Sequence, residues 1–433
     1  MKAATIILAQ DPASEMTPHG LSDVPPALYP LLGRPLVTYA IETARSIADA
    51  TPALVIDEKD AAIESVAGNH VILIKRMASQ TQVQAMLDAL KALPDQSDPI
   101  LVTYANAPLM TAETLRLLLE RHRERISPIT VLGPTAGPSA GPARSNSQHQ
   151  VCAYCFDAGW LQTHISADQS LHEDSVRELL HVAANEGLPV TTLTIDDPAE
   201  SLRIRTRVDL ARAETALRRR INERWMLVDV TIVDPATTYI EPDVRIGPDT
   251  IIHPNTHLRG QTRIGAHCAI GPNTIVEDCL IGNRCRVLAS VLEQAVMEDE
   301  ADVGPFGHVR KGARLCRGAH MGNFGEVKNA TLGPGAKMGH FSYLGDAEVG
   351  AEANIGAGAI TCNYDGVRKH PTVIEAEAFI GSGSMLVAPL RIGKRAKTGA
   401  GSVVTHDVPA ESVVYGVPAR VKSPSSEKRE ADE

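Results

Sequence analysis

The chain has 433 residues, of which 43% are hydrophobic and 22% are charged, and its formal net charge is -10. This length and composition support two or three folded domains and argue against wholesale disorder. The negative charge argues against nucleic acid as the main partner, because a phosphate backbone needs a basic surface. The sequence also contains no apolar run of the roughly 20 residues that a membrane span requires.

The first residues and the cysteines indicate the compartment. The opening segment, MKAATIILAQD, has too short an apolar run for a secretion signal. The seven cysteines are odd in number and scattered, which is typical of reduced thiols and predicts a cytoplasmic protein. Cys152 and Cys155 form a single C-x-x-C pair, which we expect in a strand that crosses a core rather than in a zinc or redox site.

Residues 1 to about 205 alternate short apolar runs with segments of helical spacing, which predicts an α/β domain. The first run, residues 3–7, is expected to be a buried strand that leads into the loop LAQDPASEM at residues 8–16. Such a loop is where a nucleotide phosphate usually binds in this kind of domain. Five further strands are predicted at residues 53–56, 71–74, 100–103, 129–132 and 190–193, and two helices at 111–124 and 174–186.

A single helix is predicted from residue 207 to about 224, because apolar residues recur there on one helical face. A flexible loop is predicted at residues 133–150, which are rich in proline, glycine, alanine and serine. The charged end of the chain is expected to be disordered. The expected domains are residues 1–205, a connector helix within 206–229, a repeat domain at 230–422 and a tail at 423–433.

The region from about residue 230 to 421 shows apolar residues every six positions, often followed by glycine. No helix repeats every six residues, and a strand alone repeats every two. A period of six indicates a short strand plus a tight turn, with one inward aliphatic side chain per face. We therefore predict a parallel β-helix of hexapeptide repeats. The repeating residues are Ile246, Ile252, Leu258, Ile264, Ile270 and Val276, and then Val303, Val309, Leu315, Met321 and Val327.

Three faces of six residues give 18 residues per coil, so residues 18 apart are expected to stack about 4.8 Å apart. Arg310 and Lys328 have this spacing, since 328 - 310 = 18. Two stacked cations repel by roughly 1 kcal/mol even at a solvated surface, and an anion between them reverses the sign. From the spacing alone, two side chains that diverge into solvent are an equally good interpretation.

A polar cluster is predicted on the same few coils as these two cations. His340 follows Lys328 by twelve residues, which is two faces of the coil. A carboxylate beside an imidazole fixes its tautomer and stabilises its protonated form. A lone histidine is more often structural, but this concentration of polar residues in an aliphatic repeat indicates a site. The other members are Glu326, Tyr343, Asn354, Asn363 and Tyr364.

Three stretches of this region resemble the acetyltransferase half of the bacterial bifunctional N-acetylglucosamine-1-phosphate uridyltransferase/glucosamine-1-phosphate acetyltransferase family. They are GAHMGNF at residues 318–324, GHFSYLGDAE at 339–348 and NIGAGAITCNYDG at 354–366. Other hexapeptide acyltransferases share the repeat but not these strings. The resemblance implies an α/β, Rossmann-like nucleotidyltransferase domain followed by a left-handed parallel β-helix, assembled as a homotrimer with its sites between subunits.

The resemblance also implies direct transfer of acetyl from acetyl-CoA to the amine of glucosamine 1-phosphate, which supplies UDP-N-acetylglucosamine and cell-wall synthesis. His340 would be the general base and Glu326 would orient it, while hydrogen-bond donors stabilise the tetrahedral oxyanion. No covalent acyl-enzyme is required, so Cys362 is expected to be a packing residue. The sugar-phosphate positions are Arg310, Lys328, Tyr343, Asn354 and Lys369, and the acetyl-CoA positions are Ala357, Asn363, Tyr364, Ser382 and Ala400.

Two positions of the β-helix depart from the family pattern. Gly325, beside Glu326, stands where the family has a bulkier aliphatic residue. The late basic position that meets the CoA phosphates falls at Gly416, and Arg420 is the candidate to replace it. The sequence therefore supports the sugar site better than the contacts to the CoA phosphates.

The first domain resembles the family more weakly, because its nucleotide-binding motifs are altered. The family loop has the form LAAGxGTRM, whereas LAQDPASEM lacks glycine and has Glu15 at the arginine position, which would repel a triphosphate. Magnesium prefers hard anionic oxygens, so we do not expect Mg²⁺ and we predict that uridylyl transfer is lost. The other altered positions are Asp11 and Ala13 in the loop, Pro26 at the catalytic lysine, residues 81–85 at the uracil-reading segment, and Asn106 and Arg205 at the metal positions.

Three other interpretations stay open at this point. The acceptor could be a different amino-sugar phosphate, because the two cations select a phosphate and not a particular sugar. The chain could be a non-catalytic scaffold or regulatory relative, although the near-complete set around His340 argues against this. It could also be a bifunctional enzyme whose unusual first half still works, because the resemblance extends over the whole chain.

Overall fold

The computed structural model describes residues 3–9, 24–47, 51–94, 98–124, 127–133, 151–167 and 175–424. The chain divides into two compact units, Met1–Leu217 and Arg218–Glu433. Within the described residues, no helix is long and apolar enough to cross a membrane. The altered loop positions Asp11, Ala13 and Glu15 lie outside the described residues, as do residues 134–150 and 425–433.

The first unit contains a mixed sheet, with a short ribbon formed by β2 and β3. The strands are β1 Ala4–Leu8, β2 Pro30–Leu31, β3 Arg34–Pro35, β4 Ala53–Asp57, β5 Ile72–Arg76, β6 Ile100–Tyr104, β7 Ile129–Gly133, β8 Ala153–Phe156 and β9 Val190–Thr194. Within the described residues the sheet has seven strands in the order β5-β4-β1-β6-β8-β7-β9. Strand β8 is antiparallel to both of its neighbours, and the remaining pairs are parallel.

Helices cover both faces of this sheet. They are α1 Leu36–Arg45, α2 Ala61–Ala67, α3 Gln82–Ala92, α4 Ala112–Arg123, α5 Ala158–Ala167 and α6 Ser175–Asn185. Helix α7 Arg207–Met226 follows them in the chain, and short 3-10 helices lie at Pro26–Leu28, Gly68–His70 and Pro198–Ser201. Ile6 packs into a core with residues of α3, α5 and α6, whereas Ile7 packs with residues of α1 and α2 on the other face. A sheet buried on both faces explains why its strands are continuous apolar runs in the sequence.

The strands and helices expected from the pattern of the first half are present. Each of the six expected strands is found with bounds that shift by no more than two residues, and the three expected helices correspond to α4, α6 and α7. Cys155 lies in β8 and Cys152 just before it, and both are fully buried free thiols. Burial raises the pKa of Cys152 to about 12. The expectation of a strand that crosses the core is confirmed at this pair.

The second unit is a left-handed parallel β-helix whose chain passes in turn through three sheets. The first sheet has strands Thr231–Ile232, Ile251–Ile252, Ala269–Ile270, Arg286–Val287, Asp302–Val303, His320–Met321, Lys337–Met338, Asn354–Ile355, Phe379–Ile380, Lys397–Thr398, Ser412–Gly416 and Ala419–Pro424. The second has Tyr239–Ile240, Thr256–Arg259, Thr274–Glu277, Val291–Glu293, His308–Val309, Glu326–Lys328, Tyr343–Gly345, Ile360–Cys362, Met385–Val387 and Val403–Val404. The third has Arg245–Ile246, Arg263–Ile264, Leu280–Ile281, Val296–Met297, Arg314–Leu315, Thr331–Leu332, Ala347–Val349, Thr372–Ile374 and Leu390–Ile392.

Coil length varies, so the uniform spacing expected from the sequence is wrong as a general ruler. Val309 lies opposite Val327, where 327 - 309 = 18, but Val327 lies opposite Leu344, where 344 - 327 = 17. Ile281 lies opposite Met297, where 297 - 281 = 16. The inward aliphatic side chains stay aligned because the corners between sheets shorten while the strands keep their register. The expected spacing does hold at Arg310 and Lys328, where the site was expected.

Candidate active site

A hydrogen-bonded pair of opposite charges lies on the outer face of the second sheet. Arg310 follows the strand His308–Val309, and Glu326 begins the next strand of that sheet. Arg310 Nη1 donates to Glu326 Oε1 over 2.7 Å, and this hydrogen bond raises the pKa of Arg310. Tyr343 lies directly opposite Glu326 in the following coil. Three of the expected site residues are therefore brought together on neighbouring strands.

Arg310 and Lys328 occupy the same position in successive coils. Val309 lies opposite Val327, and the Arg310 amide donates to the Val327 carbonyl oxygen over 2.8 Å. Neighbouring strands are about 4.8 Å apart, so the two side chains leave the surface close together. Both are partly exposed. Two adjacent cations suit a phosphate group, because a doubly charged anion offsets their mutual repulsion.

Gly345 allows Tyr343 and Asn363 to meet beside these cations. A Cβ at Gly345 would lie 2.3 Å from Tyr343 Oη and 2.7 Å from Asn363 Nδ2. Gly345 is also the residue opposite Lys328 in the neighbouring strand. Asn363 is buried, and its amide group donates to the Asp346 carboxylate. Because Gly345 has no side chain, Tyr343 Oη and Asn363 Nδ2 share the space above it, on the strand next to Lys328.

His340 lies in the turn after the first-sheet strand Lys337–Met338. Met338 is opposite Ile355, and Ile355 is opposite Ile380 in the next coil. The second residue after each of these strands therefore stacks along the axis of the coil. We name this column the His340 ridge, and its members are His340, Ala357, Ser382 and Ala400.

Backbone hydrogen bonds connect the turns of the His340 ridge. The Gly383 amide donates to the Ala357 carbonyl oxygen over 2.7 Å, and the Gly401 amide donates to the Ser382 carbonyl oxygen over 2.8 Å. His340 is exposed, as are two of the three small residues that follow it. An imidazole at one end of a row of small side chains suits a long, thin ligand whose reactive end meets the histidine.

Residues 363–371 form a loop that leaves the coil between strands of the second and third sheets. Tyr364 and Lys369 form a bridge across this loop, and Tyr364 Oη donates to the Gly366 carbonyl oxygen over 2.6 Å. Lys369 lines a cleft of about 660 Å³ together with Asp346. The loop therefore places Lys369 at a concave surface, and Tyr364 is paired with Lys369 across the loop.

Asp365 holds the shape of this loop. Its carboxylate accepts hydrogen bonds from the Arg368 amide over 2.6 Å and from His370 Nε2 over 2.7 Å. These contacts hold the pKa of Asp365 well below its usual range. Sequence reasoning missed this carboxylate, and it missed Asp346 as well. Asp365 lies in the loop that interrupts the six-residue period, and Asp346 lies in a corner of the coil between two strands, so no spacing signal pointed to either residue.

The remaining expected residues lie apart within the single chain. Asn354 begins a strand of the first sheet, whereas the Arg310–Glu326 pair belongs to the second sheet. Glu326 is hydrogen-bonded to Arg310, and within the described part of the chain no hydrogen bond connects Glu326 with His340. The orienting role of Glu326, and the union of these groups in one pocket between subunits, stay predictions.

The last hairpin contains the altered basic position. Gly416 has a φ of 108°, in the region that favours glycine, and it pairs with Ala419 at the end of the hairpin. Arg420 lies opposite Tyr415, and its Nη1 donates to the Ala419 carbonyl oxygen over 3.1 Å. A guanidinium is thus present in this hairpin, close to the altered position.

In the first unit, the two expected metal positions lie at the carboxyl end of β6. Asn106 is buried, and its Nδ2 donates to the Ile204 carbonyl oxygen over 3.1 Å. The Ile204 amide donates to the Asn106 carbonyl oxygen over 2.7 Å. The Arg205 amide donates to Asp209 Oδ2 over 3.3 Å. The Asn106 amide offers one neutral oxygen and the Arg205 guanidinium offers none, so the two side chains supply no anionic oxygen to a divalent cation.

The segment at the uracil-reading position forms the start of α3. The Thr81 hydroxyl accepts from the Gln84 amide over 3.3 Å, and Gln84 Oε1 accepts from the Thr81 amide over 2.9 Å. This reciprocal pair is a capping box, which satisfies two amides of the first turn. Pro26, at the expected lysine position, begins a short 3-10 helix. The Thr81 and Gln84 side chains therefore stabilise the start of α3.

Three family models match parts of this chain. A MobA-like NTP transferase domain matches residues 5–226, which is about half of the chain. A bacterial transferase hexapeptide model, described as six repeats, matches residues 243–277. A hexapeptide repeat of succinyl-transferase matches residues 371–406. The matches assign the two units to two different domain types.

Two relatives align along 95% of this chain, and both are named Bifunctional protein GlmU. The protein from Thermosipho africanus is 36% identical over 435 residues and is covered over 94% of its own length. The protein from Pelobacter propionicus is 37% identical over 439 residues and is covered over 95% of its own length. The similarity therefore includes both units and not the repeat region alone.

Proposed function

Because the chain belongs to the bifunctional GlmU family, we propose that its β-helix transfers acetyl from acetyl-CoA to the amine of glucosamine 1-phosphate. The observation that carries this proposal is the surface of three successive coils. Arg310 and Lys328 stack beside Tyr343, and His340 stands at the head of a row of small residues. This surface combines a phosphate-binding pair with a histidine and a path for a thin ligand.

The sugar phosphate is held by cations from two parts of the β-helix. Arg310 and Lys328 donate hydrogen bonds to the phosphate oxygens. The Glu326 carboxylate keeps the Arg310 guanidinium in position through their hydrogen bond of 2.7 Å. Lys369 in the loop and Asn354 on the first sheet contact the phosphate or the sugar ring. A hydrogen bond to a charged group contributes about 1.5–3 kcal/mol, so the cations favour a phosphorylated acceptor over a free amino sugar.

The chemical step is a direct displacement at the thioester. The amine nitrogen forms a bond to the acetyl carbon, His340 takes the proton that the nitrogen loses, and the carbon–sulfur bond breaks. The proton then passes to the departing CoA sulfur, which leaves as a thiol. A positioned general base supplies about 10²–10⁴-fold. Burial raises the pKa of Cys362, which disfavours the thiolate that a covalent acyl-enzyme needs.

Acetyl-CoA lies along the His340 ridge in this proposal. The small side chains of Ala357, Ser382 and Ala400 let the pantetheine arm approach the backbone, and the thioester end reaches His340. Asn363 and Tyr364 contact the same ligand from the neighbouring loop. Arg420 in the last hairpin contacts the CoA phosphates, because the basic position of the family is Gly416 in this chain.

The assembled enzyme is proposed to be a homotrimer in the cytoplasm. A trimer would bring Asn354 and the Arg310–Glu326 pair from different sheets into one site. The seven cysteines are free thiols, which is consistent with a reducing compartment. Light scattering on the purified full chain measures the mass of the assembly directly.

We further propose that the first unit does not transfer uridylyl groups. The support is local: the Asn106 amide is bonded to Ile204, and the Thr81–Gln84 pair caps a helix. Neither arrangement offers the groups that bind a metal-bound triphosphate. The first unit would then serve to scaffold the trimer.

A bifunctional enzyme is the second candidate, and one observation favours it. Both relatives described above carry the name Bifunctional protein GlmU, and their similarity to this chain includes the first unit. In that case UTP and N-acetylglucosamine 1-phosphate would react in the first unit to release pyrophosphate. The same name is compatible with either candidate, so activity must decide between them.

Two assays on one preparation of the full chain test these proposals. Thiol release from acetyl-CoA is measured with glucosamine 1-phosphate, with other amino-sugar phosphates and with glucosamine itself, and pyrophosphate release is measured with UTP. We expect the fastest thiol release with glucosamine 1-phosphate. A faster reaction with another amino-sugar phosphate would change the acceptor, and no release with any of them would favour a non-catalytic role.

A further inference from the structure

One interior column of the β-helix changes composition beside the His340 turn. The residue at or just before the start of each second-sheet strand points into the coil, and in most coils it is serine or threonine. The hydroxyls of Ser290 and Ser342 donate to backbone carbonyl oxygens over 2.7 and 3.1 Å. In two successive coils this position is glycine instead. The column is Thr238, Thr256, Thr274, Ser290, Gly307, Gly325, Ser342, Ala359, Ser384 and Ser402.

The facing column of the first sheet changes in the same coils. Its inward residues are β-branched except at two positions, where the long unbranched residues Met321 and Met338 are fully buried. A Cβ on Gly325 would lie 2.6 Å from Met338 Cε and 3.1 Å from Met321 Cε. A Cβ on Gly307 would lie 3.4 Å from Met321 Cε. The column is Ile232, Ile252, Ile270, Val287, Val303, Met321, Met338, Ile355, Ile380, Thr398 and Val414.

The methionine side chains therefore occupy the volume that Gly325 vacates, whereas at Gly307 the nearest atom is Val303 Cγ1, at 2.7 Å from an added Cβ. Met338 is two residues before His340, and Gly325 is the residue before Glu326. The turns are also stacked closely, because a Cβ at Gly322 would lie 1.9 Å from the Gly339 carbonyl oxygen. The contact between Gly325 and Met338 thus joins the strand of Glu326 to the turn of His340 through the interior.

On the basis of the proposed function, we propose that Gly325 and Met338 are a matched pair of positioning residues for His340. The volume at position 325 determines where the Met338 side chain ends, and the close-packed interior passes any displacement to the adjacent turn. A misplacement of about 1 Å costs a catalytic group up to roughly 10²-fold in rate. The pair acts through His340 and touches neither substrate.

Single and double variants of the full chain test this pair. Gly325→Val fills the space beside Met338, Met338→Ala empties it, and the double variant exchanges the two volumes. We expect each single change to lower kcat about tenfold and to alter the pH–rate profile, with little change in KM for acetyl-CoA. The double variant recovers kcat to within about threefold of the unchanged chain. Gly325→Ala gives a smaller loss in the same direction and covers the case in which the valine variant does not fold.

Met297→Ala is the matched control. Met297 is another buried methionine of the β-helix, on the third sheet, and its removal costs similar apolar packing. We expect it to lower the melting temperature as Met338→Ala does, without altering kcat or the pH–rate profile. An equal loss of kcat in the two methionine variants would show a general stability effect and overturn the proposal.

A spectroscopic readout separates this proposal from the proposed function. The His340 imidazole resonance of histidine-labelled protein, identified by its loss in His340→Gln, reports the turn without any turnover. We expect it to shift in both single variants and to return in the double variant. The pairing would be overturned if the resonance did not shift in either single variant. It would also be overturned if the shift in the double variant equalled the sum of the shifts in the two single variants. Absence of acetyl transfer in the unchanged chain would overturn the proposed function alone.

Discussion

The two units of this chain use polar side chains in opposite ways. On the β-helix, Arg310, Lys328 and His340 lie on the outer surface, whereas the interior of the coils holds aliphatic side chains and one column of small, mostly hydroxyl-bearing residues. In the described part of the α/β unit, two polar residues at the nucleotide-binding positions contact backbone groups nearby. Thr81 caps a helix, and Asn106 is bonded to the segment before α7. The difference shows that polar side chains can face a ligand-sized surface in one unit and cap or brace backbone in the other.

The physical reason lies in how each unit is stabilised. A coil of the β-helix is held by inward aliphatic residues and by hydrogen bonds to the next coil, so outward positions are free to carry ligand groups. At the carboxyl edge of an α/β sheet, backbone groups need hydrogen-bond partners, which side chains, water or a ligand can supply. Asn106 fulfils that need at Ile204.

The strongest test of this difference between the units is an assay of the first unit for uridylyl transfer. Pure protein with UTP, N-acetylglucosamine 1-phosphate and Mg²⁺ is expected to release no pyrophosphate above a blank without enzyme, because the metal positions are an amide and a guanidinium. The same preparation should release thiol from acetyl-CoA. Pyrophosphate well above the blank would show that the altered positions still work and would favour the bifunctional candidate.

Removal of the proposed base is expected to have the next largest effect. His340→Ala should lower kcat for acetyl transfer about 10²–10⁴-fold, because the amine then loses its proton acceptor. His320→Ala is the matched control on the same face of the repeat, where the imidazole is bonded to Asp302. Acetylation that persists unchanged without the His340 imidazole would show that the base is a different group.

Loss of one phosphate-binding cation should affect binding more than chemistry. Arg310→Ala is expected to raise KM for glucosamine 1-phosphate about tenfold or more, since a hydrogen bond to a charged group is lost. The control is Arg314→Ala, an arginine of the third sheet that is paired with Glu298. Equal effects on KM in the two variants would remove the support for a phosphate site at Arg310.

A variant of the first unit tests whether Thr81 has the structural role of a helix cap. Thr81→Ala removes the capping box of α3 and should lower the free energy of unfolding by about 1 kcal/mol. Thr215→Ala, at an exposed position inside α7, should have little effect on it. Denaturant unfolding measures both. Acetyl transfer should not change in either variant, and a strong fall in kcat with Thr81→Ala would show that this segment does more than cap a helix.

The smallest expected effect is a pH dependence of the first unit. Burial lowers the pKa of His122, although Asp98 and Asp157 oppose this shift. The unfolded chain therefore binds a proton at His122 more tightly than the folded chain does. The stability that the neutral His122 gives the folded chain is lost as pH falls below the ordinary histidine pKa of about 6.5. The melting temperature should therefore fall between about pH 7.5 and pH 5.5, and less so in His122→Asn. An equal fall in both proteins would assign it to other groups.

Much of the fold and part of the site could be predicted before the structure. The six-residue period was sufficient for the three-sided coil, because each inward aliphatic residue must face the interior. The spacing of Arg310 and Lys328 predicted a pair that the register supports. Asp365 could not be found in this way because it lies in a loop outside the repeat, and Asp346, a corner residue of the coil, is distinguished by its hydrogen bond with Asn363 of that loop rather than by its spacing. Their contacts depend on where that loop returns to the coil.

The sequence by itself determined which residues face inward, which face outward and which nucleotide-binding motifs are altered. The tertiary structure alone decided which residues meet. Coils of unequal length and a loop within one coil place His340 in line with Ala357 and Ser382, although the intervals between them differ. The fold also placed Met338 in the space beside Gly325. Local patterns set the direction of a side chain, but its neighbours depend on the lengths of every corner between them.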